Sequence, residues 1–298
     1  MMNVLISVNE NYLNKAETML HSLRWHCKHE EITVYLMNHS LNDSLVRSFE
    51  TFLDRKCRIA LKTIDVKETQ MDNLPIVDQN LSIEMYYRIL AQFLLPQELD
   101  RILWLDADIV VLKDINNFYY QDFEDKLYVV CKDCKNEVFP ITLVKEKMGI
   151  PADVQYFNSG VMLMNLKILR MQTNCDEILA VCEDMKNRIT FPDQDLLNYM
   201  YMGKVKYADW YQYNHQLADV KKLKQNELKK ISILHYTGKE KPWKPEYYRF
   251  LALSYWIAVY RSGKRTEAAK TIARIFEREL ARSIIGDWYR SVRNLICR

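Results

Sequence analysis

The sequence is short of glycine. It has six in 298 residues, about 2% against a usual level of roughly 7%. Gly149, Gly160, Gly203, Gly238, Gly263 and Gly286 each stand apart from the others. This excludes a Walker A loop and a G-x-G-x-x-G fingerprint, both of which need clustered glycines so that backbone N–H groups can approach phosphate. The cysteines lack any secreted-domain spacing. There are seven, an odd number, at Cys27, Cys57, Cys131, Cys134, Cys175, Cys182 and Cys297, which reads as reduced thiols in a cytoplasmic setting. Cys131 and Cys134 make a single C-x-x-C without the second half that a structural zinc site needs. Met1 to Tyr12 lacks a basic stretch followed by a long apolar one, so no signal peptide is expected. The longest apolar run, Phe250–Tyr260, is far short of the roughly 20 residues of a spanning helix.

Charge of one sign is scarce as well: 42 Lys+Arg face 39 Asp+Glu, a net of +3. No field of that size advertises nucleic acid. The little excess is concentrated in residues 261–298, where ten Lys/Arg and four Asp/Glu give +6 and leave −3 for the first 260 residues. The chain therefore reads as one continuous domain over 1–260 with an appended tail at 261–298. In the tail, Lys270, Arg274, Arg278 and Arg282 recur every four residues. Phe276, Leu280, Ile284, Trp288 and Val292 do the same on roughly the opposite face. A basic and aromatic amphipathic helix over 264–298 fits an anionic membrane surface; a helix docked on its own core is the alternative.

What is present is α/β. Asn3–Val8, Ile32–Met37 and Ile59–Val66 read as strands. They are separated by helical patterns carried by Leu13, Ala16, Met19, Leu20 and Leu23, then by Leu45, Val46, Phe49 and Leu53. Alternating strands and helices imply a parallel sheet. Ile83–Leu95 reads as a helix stopped by Pro96, and Phe157–Leu166 and Ile231–His235 as strands, with helices over Asp176–Lys186 and Asp193–Met202. Arg101–Leu112 is the strongest strand, interrupted by Asp106-Ala107-Asp108.

That interruption is the most informative feature. Residues two apart on a strand face the same side, so both carboxylates are expected to converge within an apolar run. Burying them bare costs several kcal/mol each, so they need either a cation or a place at the open, solvated end of the strand. Oxygen ligands favour Mg²⁺ or Mn²⁺. His235 ends another apolar strand and would share the metal, while Lys241, beyond Gly238, would meet diphosphate charge. Asp193-Gln194-Asp195 after Pro192 is by itself an ordinary acidic helix start. Asn158-Ser159-Gly160 by itself is turn-like. Ser7-Val8-Asn9-Glu10-Asn11-Tyr12 follows the first strand and reads either as a helix N-cap or as a base-and-ribose pocket.

Together these residues resemble the family 8 glycosyltransferases, the retaining GT-A enzymes that include the lipooligosaccharide galactosyltransferases of Gram-negative bacteria. The resemblance is carried by I-S-V-N-E-N-Y (6–12), Y-Y-R-I-L (86–90), L-W-L-D-A-D-I-V-V (103–111), Y-F-N-S-G-V-M-L-M-N (156–165), D-Q-D-L-L-N (193–198) and H-Y-T-G-K-E-K-P-W (235–243). It implies a GT-A fold: a Rossmann-like, mostly parallel sheet flanked by helices, here with a basic helical tail. It implies Mn²⁺, or Mg²⁺, on Asp106, Asp108 and His235, bridging the diphosphate of a UDP-hexose. It places Ser7, Asn9, Asn11 and Tyr12 at the nucleotide, with Ala107, Gly238 and Lys241 beside the diphosphate. Arg88, Asp133, Asn158 and Asp193 would hold the donor sugar, and Asp193 and Gln194 would face the reacting carbon. Asn9 replaces the family's usual uracil-binding acid, and Asn80 stands where some relatives carry a phosphate-contacting His. The implied activity is transfer of galactose or glucose from UDP, with retention, to a cell-surface glycan or glycolipid acceptor. It would take place in the cytoplasm at the inner face of the membrane. A metal-dependent UDP-sugar hydrolase or nucleotidyltransferase is the second reading; a non-catalytic nucleotide-sugar-binding membrane adaptor is the third.

Overall fold

A computed structural model describes residues 1–66, 83–134, 140–217, 228–239, 241–244, 247 and 251–296, the side chains of 83–85 and 281–296 excepted. Asn80 of the sequence reading lies outside the described residues, as do the side chains of Arg282, Ile284, Trp288 and Val292 in the tail.

The apolar runs at the start of the chain form strands β1 (Met2–Ser7), β2 (Ile32–Asn38) and β3 (Ala60–Asp65), joined by helices α1 (Glu10–His26) and α2 (Asp43–Phe52). β1 pairs in parallel with β2, and β2 with β3. On its other edge β1 pairs in parallel with β4 (Arg101–Leu105). β7 (Phe157–Asn165) then lies antiparallel to β4 and to β6 (Tyr128–Lys132), and β8 (Val205–Tyr207) closes the edge parallel to β6. The seven-stranded order is β3-β2-β1-β4-β7-β6-β8, with β7 alone reversed. This is the α/β GT-A architecture expected from the sequence.

The core follows the pleat. Successive side chains point to opposite faces of a strand. Leu5, Ile102 and Trp104 therefore join one buried cluster, while Val4, Ile6, Leu103 and Leu105 join the other. Burial on both faces is why these strands read as unbroken apolar runs.

Two local expectations are corrected. Arg101–Leu112 is not one interrupted strand. It is β4, a turn at Asp106–Asp108, and β5 (Ile109–Val111), which belongs to a separate three-stranded sheet of order β5-β10-β9, with β9 at His215–Gln216 and β10 at Ile233–His235. The two acids therefore do not meet through strand alternation; they meet because the chain turns from one sheet into the other. Ile83–Leu95 is not one α-helix but a 3₁₀ segment, Ile83–Ile89, followed by the short helix α3 (Ala91–Leu94). Tyr86 through Ala91 are all buried, and a segment without a solvent face has no side on which a 3.6-residue period is selected.

Among the described residues between β5 and β10 lie the helices α4 (Asn116–Tyr119), α5 (Ile141–Met148), α6 (Leu166–Gln172), α7 (Cys175–Met185), α8 (Pro192–Tyr201) and α9 (Trp210–Tyr213). The chain divides into two compact units, Met1–His235 and Tyr236–Arg298. In the second, α10 (Ala252–Arg261) packs on α11 (Arg265–Ile296). Among the described side chains of α11, Ala268, Thr271 and Ile275 are buried, whereas Phe276 and Leu280 are 56% and 63% exposed. No helix among the described residues is long and apolar enough to cross a membrane.

Candidate active site

The site of the first unit is built at the carboxyl ends of β4 and β6 and the start of β7, where open α/β sheets bind ligands. Leu105 pairs with Val161 of β7, and the chain leaves the ladder with Asp106 N–H donating to the Gly160 carbonyl at 2.9 Å. In the small sheet His235 lies opposite Ile109, which puts it next to Asp108. His235 Nε2 is 3.1 Å from Asp108 Oδ1 and 3.8 Å from Asp106 Oδ2. One ligand atom from each of the three residues lies within 4.8 Å of the others. Two carboxylate oxygens and an imidazole nitrogen suit Mg²⁺ or Mn²⁺. Three such ligand atoms so close together could hold a divalent cation.

Gly160 makes this approach possible. A Cβ there would lie 2.2 Å from His235 Cε1 and 2.7 Å from Asp106 Oδ2. Residues 158–160, turn-like only when read alone, lie in β7, as expected of the run Phe157–Leu166. Val130 pairs with Met162 but Cys131 with Asn158, so the β6–β7 register shifts between them. The N–H groups of Ser159 and Gly160 inside the shift donate to side chains instead, Ser159 to Gln194 Oε1 at 3.1 Å and Gly160 to Asn158 Oδ1 at 3.0 Å. Such irregularities recur beside active sites because they re-aim backbone and side chains.

Arg88 ties the acids together. Its Nη2 is 3.1 Å from Asp106 Oδ1 and its Nε 3.2 Å from Asp193 Oδ2, while Nη1 donates to the Ser159 carbonyl at 2.8 Å. The guanidinium lies over the Trp104 ring at 4.1 Å, and Trp104 Nε1–H donates to Asp106 Oδ1 at 2.9 Å. The contact with Asp193 is an ion pair too oblique to count as a hydrogen bond, and Asp193 Oδ2 makes none among the described residues. Asp193 is buried, which pushes its carboxyl above the ordinary range, while Arg88 pulls it down.

The helix start at Asp193-Gln194-Asp195 splits its roles. Asp195 Oδ2 accepts from the N–H groups of Thr190 and Phe191 at 2.6 and 2.8 Å, satisfying donors at the start of α8. Tyr156 OH donates to its other oxygen. Burial raises the Asp195 carboxyl as well, against these bonds. Only Asp195 does the ordinary capping work; Asp193 and Gln194 turn into the site. Gln194 Nε2 donates to Asp133 Oδ2 at 3.0 Å, and Asn158 Nδ2 donates to Gln194 Oε1 at 3.0 Å and to Asp133 Oδ2 at 3.3 Å. The sequence-predicted residues Arg88, Asp106, Asp108, Asp133, Asn158, Asp193, Gln194 and His235 thus meet in one cluster, buried except for the partly exposed Asp106.

Ser7, Asn9, Asn11 and Tyr12 gather at the end of β1 and the start of α1. Asn9 is the N-cap of α1, yet its side chain makes no capping hydrogen bond. Asn9 Oδ1 and Ser7 Oγ are buried without a partner among the described residues. A buried acceptor left unpaired costs about 1–3 kcal/mol, and a polar ligand relieves that cost. The N-cap reading therefore explains the backbone at Asn9 but not its side chain. Gly238 and Lys241 belong to the second unit. Gly238 is left-handed at φ +82°, and Lys241 Nζ donates to the Tyr236 carbonyl at 2.7 Å.

Sequence reasoning missed Trp104, Gly160 and Asn214. Asn214 is fully buried, accepts from His235 Nδ1 at 2.9 Å and donates to Asn158 Oδ1 at 2.9 Å. Gly160 carried a usable signal, since glycine inside a strand marks a bulge or a close approach; Asn214 carried none. The C-x-x-C pair forms no disulfide: Cys131 is buried, and burial holds its thiol well above the ordinary value.

The comparisons agree with this geometry. Residues 3–246 match the family model described as Glycosyl transferase family 8. A lipopolysaccharide 1,2-glucosyltransferase of Escherichia coli K12 is 30% identical over 252 residues, covering 81% of this chain and 72% of that protein. A lipopolysaccharide 1,3-galactosyltransferase of Salmonella typhimurium is 23% identical, over 81% of this chain and 72% of its own. Among solved structures, the galactosyltransferase LgtC in complex with donor and acceptor sugar analogues superposes with a TM-score of 0.73 at 20% identity, covering 89% of this chain and 96% of that one; at that identity the likeness is one of fold. A family match over most of the length, with a relative 30% identical over four-fifths of the chain, shows that this protein is a glycosyltransferase and belongs to glycosyltransferase family 8.

Proposed function

We propose that the enzyme transfers a hexose, galactose or glucose, from a UDP-sugar with retention of configuration onto a cell-surface glycan or glycolipid acceptor. The observation that carries this reading is the convergence of Asp106, Asp108 and His235 within 4.8 Å beside the buried Arg88–Asp193 pair. The three ligands would hold Mn²⁺ or Mg²⁺, which when bound neutralises diphosphate charge as it grows on the leaving group. Unpaired Ser7 Oγ and Asn9 Oδ1 support a nucleoside at the end of β1, with Asn11 and Tyr12 completing its pocket and Ala107 beside the diphosphate.

Arg88 holds Asp193 by charge, leaving Asp193 Oδ2 to accept from a sugar hydroxyl; Asp133 would accept from another, and Asn158, whose amide is fully engaged, would serve the sugar by holding Asp133 and Gln194 in place. Carboxylates around the sugar stabilise the positive charge that develops as the bond to the diphosphate breaks. Gln194 Oε1 already accepts two hydrogen bonds, from Ser159 N–H and Asn158 Nδ2, and a carboxamide so engaged is a poor nucleophile. This supports front-face transfer: the sugar–phosphate bond breaks, the acceptor oxygen bonds to the same face of the carbon, and its proton passes to the leaving phosphate oxygen. Residues 1–260 form the catalytic region, and the basic helix of 261–298 attaches it to the inner face of the membrane, in the cytoplasm. The exposed Phe276 and Leu280 support attachment.

Incubation with a panel of UDP-sugars and Mn²⁺, with the product anomer read by NMR, tests the reading. Asp108→Asn abolishes transfer, whereas Gln194→Ala keeps measurable activity. An inverted product sinks the assignment, and a sugar trapped on a neighbouring acid in the Gln194 variant establishes a covalent route instead.

A further inference from the structure

Two buried carboxamides stand between the imidazole of His235 and the sugar-facing residues, and the proposed transfer uses only Asn158. Asn214 is the other. It is 0% exposed, between His235 at 2% and Asn158 at 4%, so no bulk water substitutes for its hydrogen bonds.

The polarity of this chain of hydrogen bonds is set by groups that have no choice. A backbone N–H only donates. Gly160 N–H points at one terminal atom of Asn158 from 3.0 Å, which makes that atom the carbonyl oxygen. Asn214 meets the same oxygen at 2.9 Å and must present its NH₂ there. Its own oxygen therefore faces His235 Nδ1 at 2.9 Å, and Nδ1 must carry the hydrogen. Ser159 N–H repeats the argument on the other side: it fixes the oxygen of Gln194 at 3.1 Å and so turns Gln194 Nε2 toward Asp133. Both N–H groups are available because the β6–β7 register shifts beside them. A neutral imidazole with its hydrogen on Nδ1 has its lone pair on Nε2, the atom that faces Asp106 and Asp108. The opposite tautomer would aim an N–H at the cation and could not ligate it.

We propose that Asn214 is a positioning residue that relays the donor polarity of the Gly160 N–H through Asn158 to His235. It locks the imidazole in the Nδ1–H tautomer, presents Nε2 to the metal, and ties the metal centre to the amides of the sugar site. The metal half of this rests on the reading that Asp106, Asp108 and His235 hold a divalent cation; the tautomer half does not.

Asn214→Leu keeps the size and removes the acceptor. Asn214→Asp keeps an acceptor for His235 but has no N–H for Asn158. The ring nitrogens of His235 are read by ¹⁵N–¹H NMR in the metal-free protein, at a pH where the imidazole is neutral. Mn²⁺ affinity is read by electron paramagnetic resonance without any donor sugar. Wild type and the Asp variant are expected to show Nδ1–H. The Leu variant is expected to lose that single tautomer and to bind Mn²⁺ roughly 10–100-fold more weakly, the usual effect of removing a partner of a metal-ligating histidine. An Nε2–H spectrum in the wild type overturns the inference, as does a Leu variant with unchanged tautomer and unchanged affinity. If the Leu variant fails to fold, loss of the Nδ1–H signal in the Asp variant has the same force. A wild type that binds no Mn²⁺ sinks the metal reading, while an Nδ1–H tautomer lost on Asn214→Leu still upholds the relay.

Discussion

Gly160→Ala separates a conformational from a steric need for glycine. Gly160 lies inside β7 without positive φ, so alanine meets no backbone strain. The added Cβ instead lands 2.2 Å from His235 Cε1, 3.0 Å from His235 Nδ1 and 2.7 Å from Asp106 Oδ2. Non-bonded carbons settle at about 3.5–4.0 Å, so the imidazole must retreat by roughly 1.3 Å or more. Asp106 has little freedom to give way, being hydrogen-bonded by Trp104 and paired with Arg88; His235, on a three-residue strand, moves instead. Overpacking of this kind costs about 1–3 kcal/mol, partly offset by about 0.4–1 kcal/mol from the stiffer unfolded chain, so the fold survives. A displacement of about 1 Å in a catalytic constellation costs on the order of 10²-fold in rate. The expected variant is folded by circular dichroism, melts slightly below wild type, binds Mn²⁺ weakly and turns over UDP-sugar on the order of 10²-fold more slowly. Wild-type Mn²⁺ affinity together with wild-type turnover would refute the close-approach argument.

Two further outcomes concern the Arg88–Asp193 pair and the tail. Arg88→Met leaves the Asp193 carboxylate, 2% exposed, without its counter-charge, and removing one partner of a buried pair costs about 3–5 kcal/mol. Urea unfolding should show this loss, while Arg88→Lys should retain most of the stability and lose transfer, because an ammonium does not reproduce the guanidinium fork; a Met variant as stable as wild type would count against the pairing. For the tail, the full-length protein should float with vesicles containing anionic lipid and sediment with neutral ones. Replacement of the exposed Lys270, Arg274 and Arg278 by Glu should abolish flotation; equal flotation of both proteins would remove the membrane reading.

Much of this enzyme is legible from its residues in order. Strands buried on both faces must be apolar throughout, so Met2–Ser7, Ile32–Asn38 and Arg101–Leu105 announce themselves, and the helices between them make the pairing parallel. Asp106 and Asp108 stand out because carboxylates are costly within such a run. The reason for their convergence was not legible, since a strand and a turn both bring residues two apart together and only pairing partners distinguish them. The 3₁₀ winding at Ile83–Ile89 escaped for a related reason: a segment buried on every side carries no period.

Residue types and spacing by themselves determined the alternating α/β order, the pair of acids set within an apolar run and the basic tail. Only the tertiary structure decided that His235 sits opposite Ile109 and so beside Asp108, that Gly160 must lack a Cβ, and that Asn214 stands between His235 and Asn158. Hydrophobic periodicity is local and is written along the chain. Strand register, close approach and hydrogen-bond polarity arise between segments far apart in sequence, and they exist only once those segments have packed.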